Sequence, residues 1–274
     1  MGSWVTLLSH GALPAAERNV DGIQDNSFLL EEAYNQGPGE VQHIVTGFYN
    51  VDKLGGRDDE VWELAFTQEW PIFSRKHQIA YTVPYVFTRG ADGSENGLGD
   101  VEVQYRYQAL FDEDHWRALA PSFSLILPTG DEDDGLGDGT VGYSVGVPFS
   151  TAIGDKWFWH FNAGVTWLPD AGSGPERDLI HYDLGSSVIF AATPTTHLLV
   201  EWLGGWEHEA EPGEPREREF ASVVSPGIRK AFDFPGDKQL VLGLAAPIGV
   251  TGSAADYGVF LYVSFEHLFT KAEN

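Results

Sequence analysis

The sequence predicts an all-β fold, a transmembrane antiparallel β-barrel of about 12 strands with short periplasmic turns and longer acidic extracellular loops. Three observations carry that expectation. From about Glu40 onward, apolar and polar residues alternate in 12 segments of roughly 10 to 15 residues, so the two faces of each strand meet different surroundings. The connections between segments alternate short and long. Aromatic residues gather near both kinds of connection, as interfacial girdles do.

Composition bounds the rest. The chain has 274 residues, with 41 Asp or Glu, 16 Lys or Arg and a formal net charge of -25. That length fits one large all-β domain or two ordinary ones. Aromatic residues at 13% argue against disorder. The absence of cysteine excludes a disulfide framework, a thiol nucleophile and thiolate metal sites. So negative a surface repels nucleic acid. No apolar run approaches the ~20 residues of a membrane-spanning helix, although strands that cross a membrane leave no such run.

Residues 1–39 show no sustained alternation and are read as an N-terminal periplasmic or plug segment. Met1-Gly2-Ser3 fits either an expression scar in place of a removed signal peptide or the remnant of a clipped native signal. Ser27 to Tyr34 fits a short helix or a segment packed against another part of the chain.

Residues 40–269 are read as the barrel and 270–274 as a C-terminal tail. The first three segments start near Val41, near Glu60 and after His77; the third puts Ile79, Tyr81, Val83, Tyr85 and Phe87 on one face. Val101 to Gln108 sets Val, Val, Tyr, Tyr against Glu102, Gln104, Arg106 and Gln108. A segment near Trp116 precedes Val141 to Ser150, where every second residue is small or proline. Trp157 to Trp167 and Ile180 to Phe190 alternate cleanly, and those starting near Thr196 and Glu219 less so. Leu240 to Val250 and Val259 to Phe269 present aliphatic and aromatic stripes. Pro84, Pro121, Pro148, Pro226 and Pro247 fall inside strands, where each removes a ladder donor, so bulges or weakened pairing are expected there.

Short turns are expected at Ser74-Arg75-Lys76, Asp112-Glu113-Asp114, Gly154-Asp155-Lys156, Thr193-Pro194-Thr195 and Phe234 to Asp237. Long loops are expected at Asp52 to Glu60, Gly90 to Asp100, Gly130 to Gly139, Asp170 to Asp178, Glu207 to Glu219 and Gly252 to Asp256. Trp70, Phe73, Phe111, Trp116, Trp157, Phe232 and Phe234 lie near short turns; Trp62, Phe87, Trp167, Trp206 and Tyr257 lie near long loops. The polar face, rich in Gly, Ser, Thr, Gln and Asn, suits a lumen better than a water-exposed surface. A soluble sandwich or barrel would turn the apolar face inward instead.

Several stretches resemble one family. Gly97-Leu98-Gly99-Asp100 running into Val101 to Tyr107, then Ala120 to Leu127 followed by Pro128-Thr129-Gly130-Asp131, then Gly142 to Val147, resemble the core of the bacterial outer-membrane β-barrel family of transporters assigned to the meta-pathway of phenol degradation. Asn26 to Gln36 followed by Val41-Gln42-His43-Ile44 resembles a block of some members. The resemblance implies passage of aromatic compounds. The end of the last strand at Phe269 resembles the terminal aromatic signal read by barrel-assembly machinery, with five further residues after it.

No catalytic chemistry is expected. There is no His-x-Ser-Asn-Gly run as in outer-membrane phospholipases, no G-x-S-x-G, no P-loop and no H-E-x-x-H, and Ser9-His10 lies in the unpatterned start. No cofactor is expected. Asp131, Asp133 and Asp134 are weak loop candidates for a metal, but Gly135 and Gly142 occupy the fifth and twelfth positions an EF-hand needs for oxygen ligands.

The lumen is the expected functional surface. Its inward candidates are Glu63, Glu69, Glu102, Gln104, Arg106, His160, Asn162, His181, Asp183, Glu201, Arg229 and Glu266. Glu102 and Arg106 lie roughly 13 Å apart along one strand, so their partners must lie on other strands. Phe28, Glu31, Glu32 and Tyr34 are the plug candidates, with Glu31 and Glu32 expected to meet Arg106 or Arg229. The expected partners are outer-membrane lipids, lipopolysaccharide, a small-molecule solute and the barrel-assembly machinery. The expected role is passive passage of a small, aromatic or hydrophobic solute across the bacterial outer membrane. A closed-lumen barrel acting through its surface and a soluble acidic secreted β-protein are the alternatives.

Overall fold

The computed structural model describes residues 27–53, 59–90, 93–171, 178–210, 218–236 and 238–269. Its strands are β1 (Glu40–Asp52), β2 (Asp59–Ile72), β3 (Ser74–Gly90), β4 (Gly93–Leu98), β5 (Val101–Tyr107), β6 (Leu110–Asp112), β7 (Arg117–Leu119), β8 (Ser122–Leu127), β9 (Gly142–Ile153), β10 (Trp157–Leu168), β11 (Asp178–Thr193), β12 (Thr196–Ala210), β13 (Arg218–Phe234), β14 (Lys238–Ala245), β15 (Ile248–Gly249) and β16 (Tyr257–Leu268). β4, β5 and β6 are successive parts of one wall strand, as are β7 with β8 and β14 with β15, so the 16 segments form 12 staves.

All pairings are antiparallel; the staves pair with their neighbours in the chain, and the pairing of the first stave with the last closes the ring. β9 pairs with β10 through 11 residue pairs, from Tyr143 opposite Trp167 to Ile153 opposite Trp157. β1 pairs with β16 through 12 residue pairs, from Glu40 opposite Leu268 to Val51 opposite Tyr257. Closure leaves no free sheet edge, which is what lets a β-structure stand in lipid.

The alternation reads outward-apolar and inward-polar. Leu64, Phe123, Val145, Val200, Leu244 and Leu261 are exposed on the outer wall, whereas Gln42, Gln78, Arg106, His160, Glu201 and Arg229 are buried inside. This is the inverse of a soluble barrel and removes that alternative: the fold is that of a transmembrane barrel. Two outward indoles would meet lipid with a bare N–H. Trp159 Nε1 donates to Ser186 Oγ and Trp202 Nε1 to Ser222 Oγ, each at 2.9 Å, which satisfies both.

Several expectations change in detail. The turn between β2 and β3 sits at Phe73, one residue before the expected Ser74-Arg75-Lys76; Phe73 takes a positive φ of 61° and projects fully exposed. The expected loop Gly90 to Asp100 is largely a continuation of the wall, since Gly93 to Leu98 pair with Gly90 to Tyr85. Trp116 does not join the girdle. Its φ of 49° turns it inward, and it is buried against Ala33, Tyr34 and Ala118. Ser27 to Tyr34 is not helical.

The prolines follow one rule. Pro84, Pro148 and Pro226 each face a break in the adjacent stave: Gly99-Asp100, Ala120-Pro121 and Ala246-Pro247. Each of their carbonyls still accepts an N–H across the break, from Gly99 (3.0 Å), Ala120 (3.2 Å) and Ala246 (3.0 Å). The first of these breaks shifts the register against the proline's own strand: between Thr82–Glu102 and Tyr85–Leu98, β3 contributes two residues and its neighbour three. The second shifts it on the opposite side, where three residues between Arg106 and Leu110 face two between Leu119 and Ser122. The residues that carried the family resemblance tie the adjoining loop to the wall. Thr129 Oγ1 donates to Gly99 O (2.8 Å) and accepts Val101 N–H (2.9 Å). The Asp100 carboxylate accepts the N–H groups of Gly130 and Asp138, both at 2.8 Å.

Candidate functional site: the plugged lumen

Residues 27–36 lie inside the barrel without joining its sheet, so their backbone groups need other partners. Inward side chains of the wall supply them. Glu201 Oε1 accepts the N–H groups of Phe28 and Leu29, both at 3.0 Å. Ser150 Oγ takes Ala33 N–H (2.8 Å), Gln108 Oε1 takes Asn35 N–H (2.9 Å) and Gln78 Oε1 takes Gln36 N–H (2.8 Å). The Asn162 carboxamide, oriented by its neighbours, donates to Glu31 O (2.9 Å) and accepts Glu31 N–H (2.8 Å). The chain leaves the lumen at Gly37, whose N–H meets Glu40 Oε2 at 3.0 Å, and Gly39, at φ 83°, turns it into β1.

Arg106 is the centre of the plug. It is 1% exposed. Its Nε donates to Asn35 Oδ1 (3.0 Å), Nη1 to Glu32 O (3.1 Å) and Nη2 to Tyr34 O (3.4 Å). Its guanidinium also stands 3.7 Å from Glu31 and 3.5 Å from Glu69. Glu102 does not pair with it. Glu32 is buried between His160 (3.7 Å) and Arg229 (4.0 Å). Glu31 thus meets Arg106, and Glu32 meets Arg229.

The plug's apolar side chains need seats in a polar wall, and glycine supplies two. Phe28 packs on Phe260 and Tyr262, with ring centroids at 5.7 and 5.3 Å. A Cβ on Gly243 would stand 2.3 Å from the Phe28 ring, and one on Gly185 would stand 2.0 Å from Leu30 Cδ2. Tyr34 stacks edge-on with Phe111 and Trp116 and donates its hydroxyl to Trp116 O at 2.9 Å.

Toward the long loops the lumen is open. A cavity of about 460 Å³ lies against Leu29, Leu30 and Glu31 and is walled by β5, β8 and β9 to β13. Its acidic lining is Glu31, Glu102 and Asp183; its bare side is Gly146, Gly164 and Gly205. A second cavity of about 210 Å³ lies on the other side of Leu29 to Glu31, lined by Thr67, Thr82 and Glu69 among others.

The sequence-derived lumen candidates divide by depth. Glu69, Gln104, Arg106, His160, Glu201, Arg229 and Glu266 are buried inward side chains, most of them at plug level. Glu102, Asn162 and Asp183 line the larger cavity, Asn162 also holding the plug. Glu63 shares the inward face of Ala65 and Glu69 and is exposed, and His181 lies one inward position from Asp183 toward the loop. Sequence reasoning missed Gln42, Gln78, Gln108, Ser150, Ser187 and His197, all buried on the polar face. Asp131, Asp133 and Asp134 are exposed, with Asp131 accepting Asp133 N–H at 3.1 Å. Among the described residues no group of three or more His, Asp or Glu could hold a metal ion.

No family model matches the chain, and no curated protein matches it. Solved structures of similar fold include the NanC porin (TM-score 0.49, 10% identity, covering 82% of this chain and 98% of that one). The beta domain of the Bordetella autotransporter BrkA is another (TM-score 0.47, 12% identity, 87% and 100%). A bacterial polysaccharide outer-membrane secretin is a third (TM-score 0.40, 9% identity, 84% and 98%). The fold neighbours of this chain are outer-membrane β-barrels.

Proposed function

We propose that this protein is a bacterial outer-membrane channel, closed by its own N-terminal segment, for passive passage of a small solute. The observation that supports this best is the division of the lumen: residues 27–36 fill one level, and an open cavity stands directly above them. A segment held by side chains rather than by sheet pairing can leave without opening the wall. Passage requires that segment to move. The solute has an apolar body, because Leu29, Leu30, Leu203 and Val223 share the cavity with the carboxylates. It is cationic or neutral, because Glu31, Glu102 and Asp183 face it. The resemblance to the phenol-degradation transporters is the reason to include aromatic amines and phenols in the trial. We assign no catalytic step. The contacting partners are outer-membrane lipids, lipopolysaccharide at the acidic loops and, during biogenesis, barrel-assembly machinery reading the last strand.

The test is conductance of the purified barrel in planar bilayers, alone and with residues 1–38 deleted. The expected result is a small or intermittent current for the whole chain and a several-fold larger, steady one for the deletion. Equal currents overturn gating by the plug. No current from either, with the barrel folded by heat-modifiable gel shift, favours the second reading: a closed barrel acting through its surface, for which the filled lumen is the supporting observation.

A further inference from the structure

The closing seam carries a polar cluster on its lipid side that plays no part in the lumen. The Tyr81 hydroxyl donates to Gln68 Oε1, and Gln68 Nε2 lies 2.7 Å from His43 Nδ1. His43 Nε2 lies 3.2 Å from His267 Nε2, and His267 Nδ1 lies 3.2 Å from the Leu268 carbonyl oxygen. His43 is on β1 and His267 on β16, so the contact spans the first and last strands. Both rings are half-buried. Phe66 and Phe265 stack on His43 with centroids at 6.4 and 6.5 Å.

Two features of this pair point to a ligand. The first is spacing. Two imidazole nitrogens bound at about 2.0–2.1 Å to one tetrahedral ion stand roughly 3.3 Å apart, and these stand 3.2 Å apart. The second is orientation. A ligating histidine donates its other ring N–H to a carbonyl or similar acceptor, which fixes the tautomer that frees the ligating nitrogen. His267 Nδ1 already faces such a carbonyl. His43 gains the same arrangement when the Gln68 amide turns over, a rotation that exchanges two groups of nearly equal shape. His43 Nδ1–H then donates to Gln68 Oε1, and Gln68 Nε2 donates to the Tyr81 hydroxyl, which accepts as readily as it donates. The turn gives up one long contact, from Trp70 Nε1–H to Gln68 Oε1 at 3.4 Å, and keeps the others.

We propose that His43 and His267 form a two-histidine site for a late first-row divalent ion, Zn²⁺ or Cu²⁺, with Gln68 and Tyr81 as positioning residues. Neutral imidazole suits these ions better than it suits Ca²⁺ or Mg²⁺, which prefer oxygen. The remaining coordination positions face outward, one strand end from the Trp70–Phe269 ring pair (centroids 5.3 Å), where water or a lipid phosphate oxygen completes the set. A bound ion clips β1 to β16. This site stands apart from the channel reading and survives its failure.

The test uses the full chain in detergent micelles, with excess Ca²⁺ to occupy the carboxylate loops. Equilibrium dialysis against Zn²⁺ is expected to give one ion per chain, and Cu²⁺ is expected to show nitrogen hyperfine splitting in its electron paramagnetic resonance. H43A and H267A lose both. Q68L keeps both histidines and weakens binding roughly 10–100-fold, as removal of an orienting partner does. Zn²⁺ raises the temperature of the heat-modifiable gel shift in the parent and not in H267Q, whose folding is checked by the same shift without metal. Equal binding by the parent and the H43A/H267A double variant means an adventitious ion only and overturns the site. Full binding by Q68L overturns the positioning role.

Discussion

The two levels of the lumen are built from the same alternating strands, yet they use charge in opposite ways. At plug level both arginines, Arg106 and Arg229, sit within 4.0 Å of acidic partners, and two of those partners, Glu31 and Glu32, belong to the plug. Above the plug the carboxylates Glu102 and Asp183 line open space, with no Lys or Arg among the cavity's lining residues. Buried charge is tolerable when paired and hydrogen-bonded, and open charge when hydrated. One level is thereby a lock and the other a filter.

The comparison breaks most severely at Arg106. Arg106→Met removes the cation from Glu31 and Glu69 and three donors from plug acceptors. Stripping one partner from a buried charged network costs about 3–5 kcal/mol. The expected outcome is an N-terminal segment open to protease and a raised current, and a plug that stays protected would contradict it. Next comes the glycine seat. Gly243→Leu drives a side chain into Phe28, an overpacking of about 1–3 kcal/mol, whereas Gly47→Ala, whose added methyl meets Leu64 at an ordinary 3.4 Å, leaves plug protection unchanged. The same protease assay reads both.

The filter level answers to a gentler change. Glu102→Gln in the plug-deleted barrel is expected to move the reversal potential in a salt gradient toward zero, with little change in conductance; an unmoved potential removes Glu102 from selectivity. Smallest is the loop above it. Burial first, and then the Asp100 carboxylate, hold Asp138 above the ordinary aspartate range, with His181 opposing. An acid whose pKa is raised on folding costs stability as pH rises through its unfolded and then its folded value. Acidification through the window just above the ordinary aspartate range therefore tightens this loop slightly. Asp138→Asn flattens that part of the thermal-unfolding pH profile.

Much of this was legible beforehand, because a strand's period of two writes the inward face directly into the chain. Val101 to Tyr107 displays Glu102, Gln104 and Arg106 with no structural help. Asn26 to Gln36 stood out as unpatterned and rich in groups that could meet arginine. Depth was not legible. Gln42, Gln78, Gln108, Ser150 and Ser187 look like any polar-face residue, and only the height of the plug separates them from the filter. Nor does a sequence tell a glycine that seats Phe28 from one that bares a cavity wall. Trp116 read as an interfacial ring because turn proximity is a one-dimensional cue, and a single positive φ sent it inside.

The proline breaks carry a consequence for how this barrel comes apart. An orphaned backbone group in hydrocarbon costs several kcal/mol, and by retaining each proline carbonyl the wall forgoes only a rung of the ladder at Pro84, Pro148 and Pro226. Those three junctions are nonetheless thinner than the rest. The junction of first and last strands, by contrast, is continuous through 12 pairs. Lateral unzipping should accordingly begin beside a proline, while the join between the chain's two ends is among the last to part.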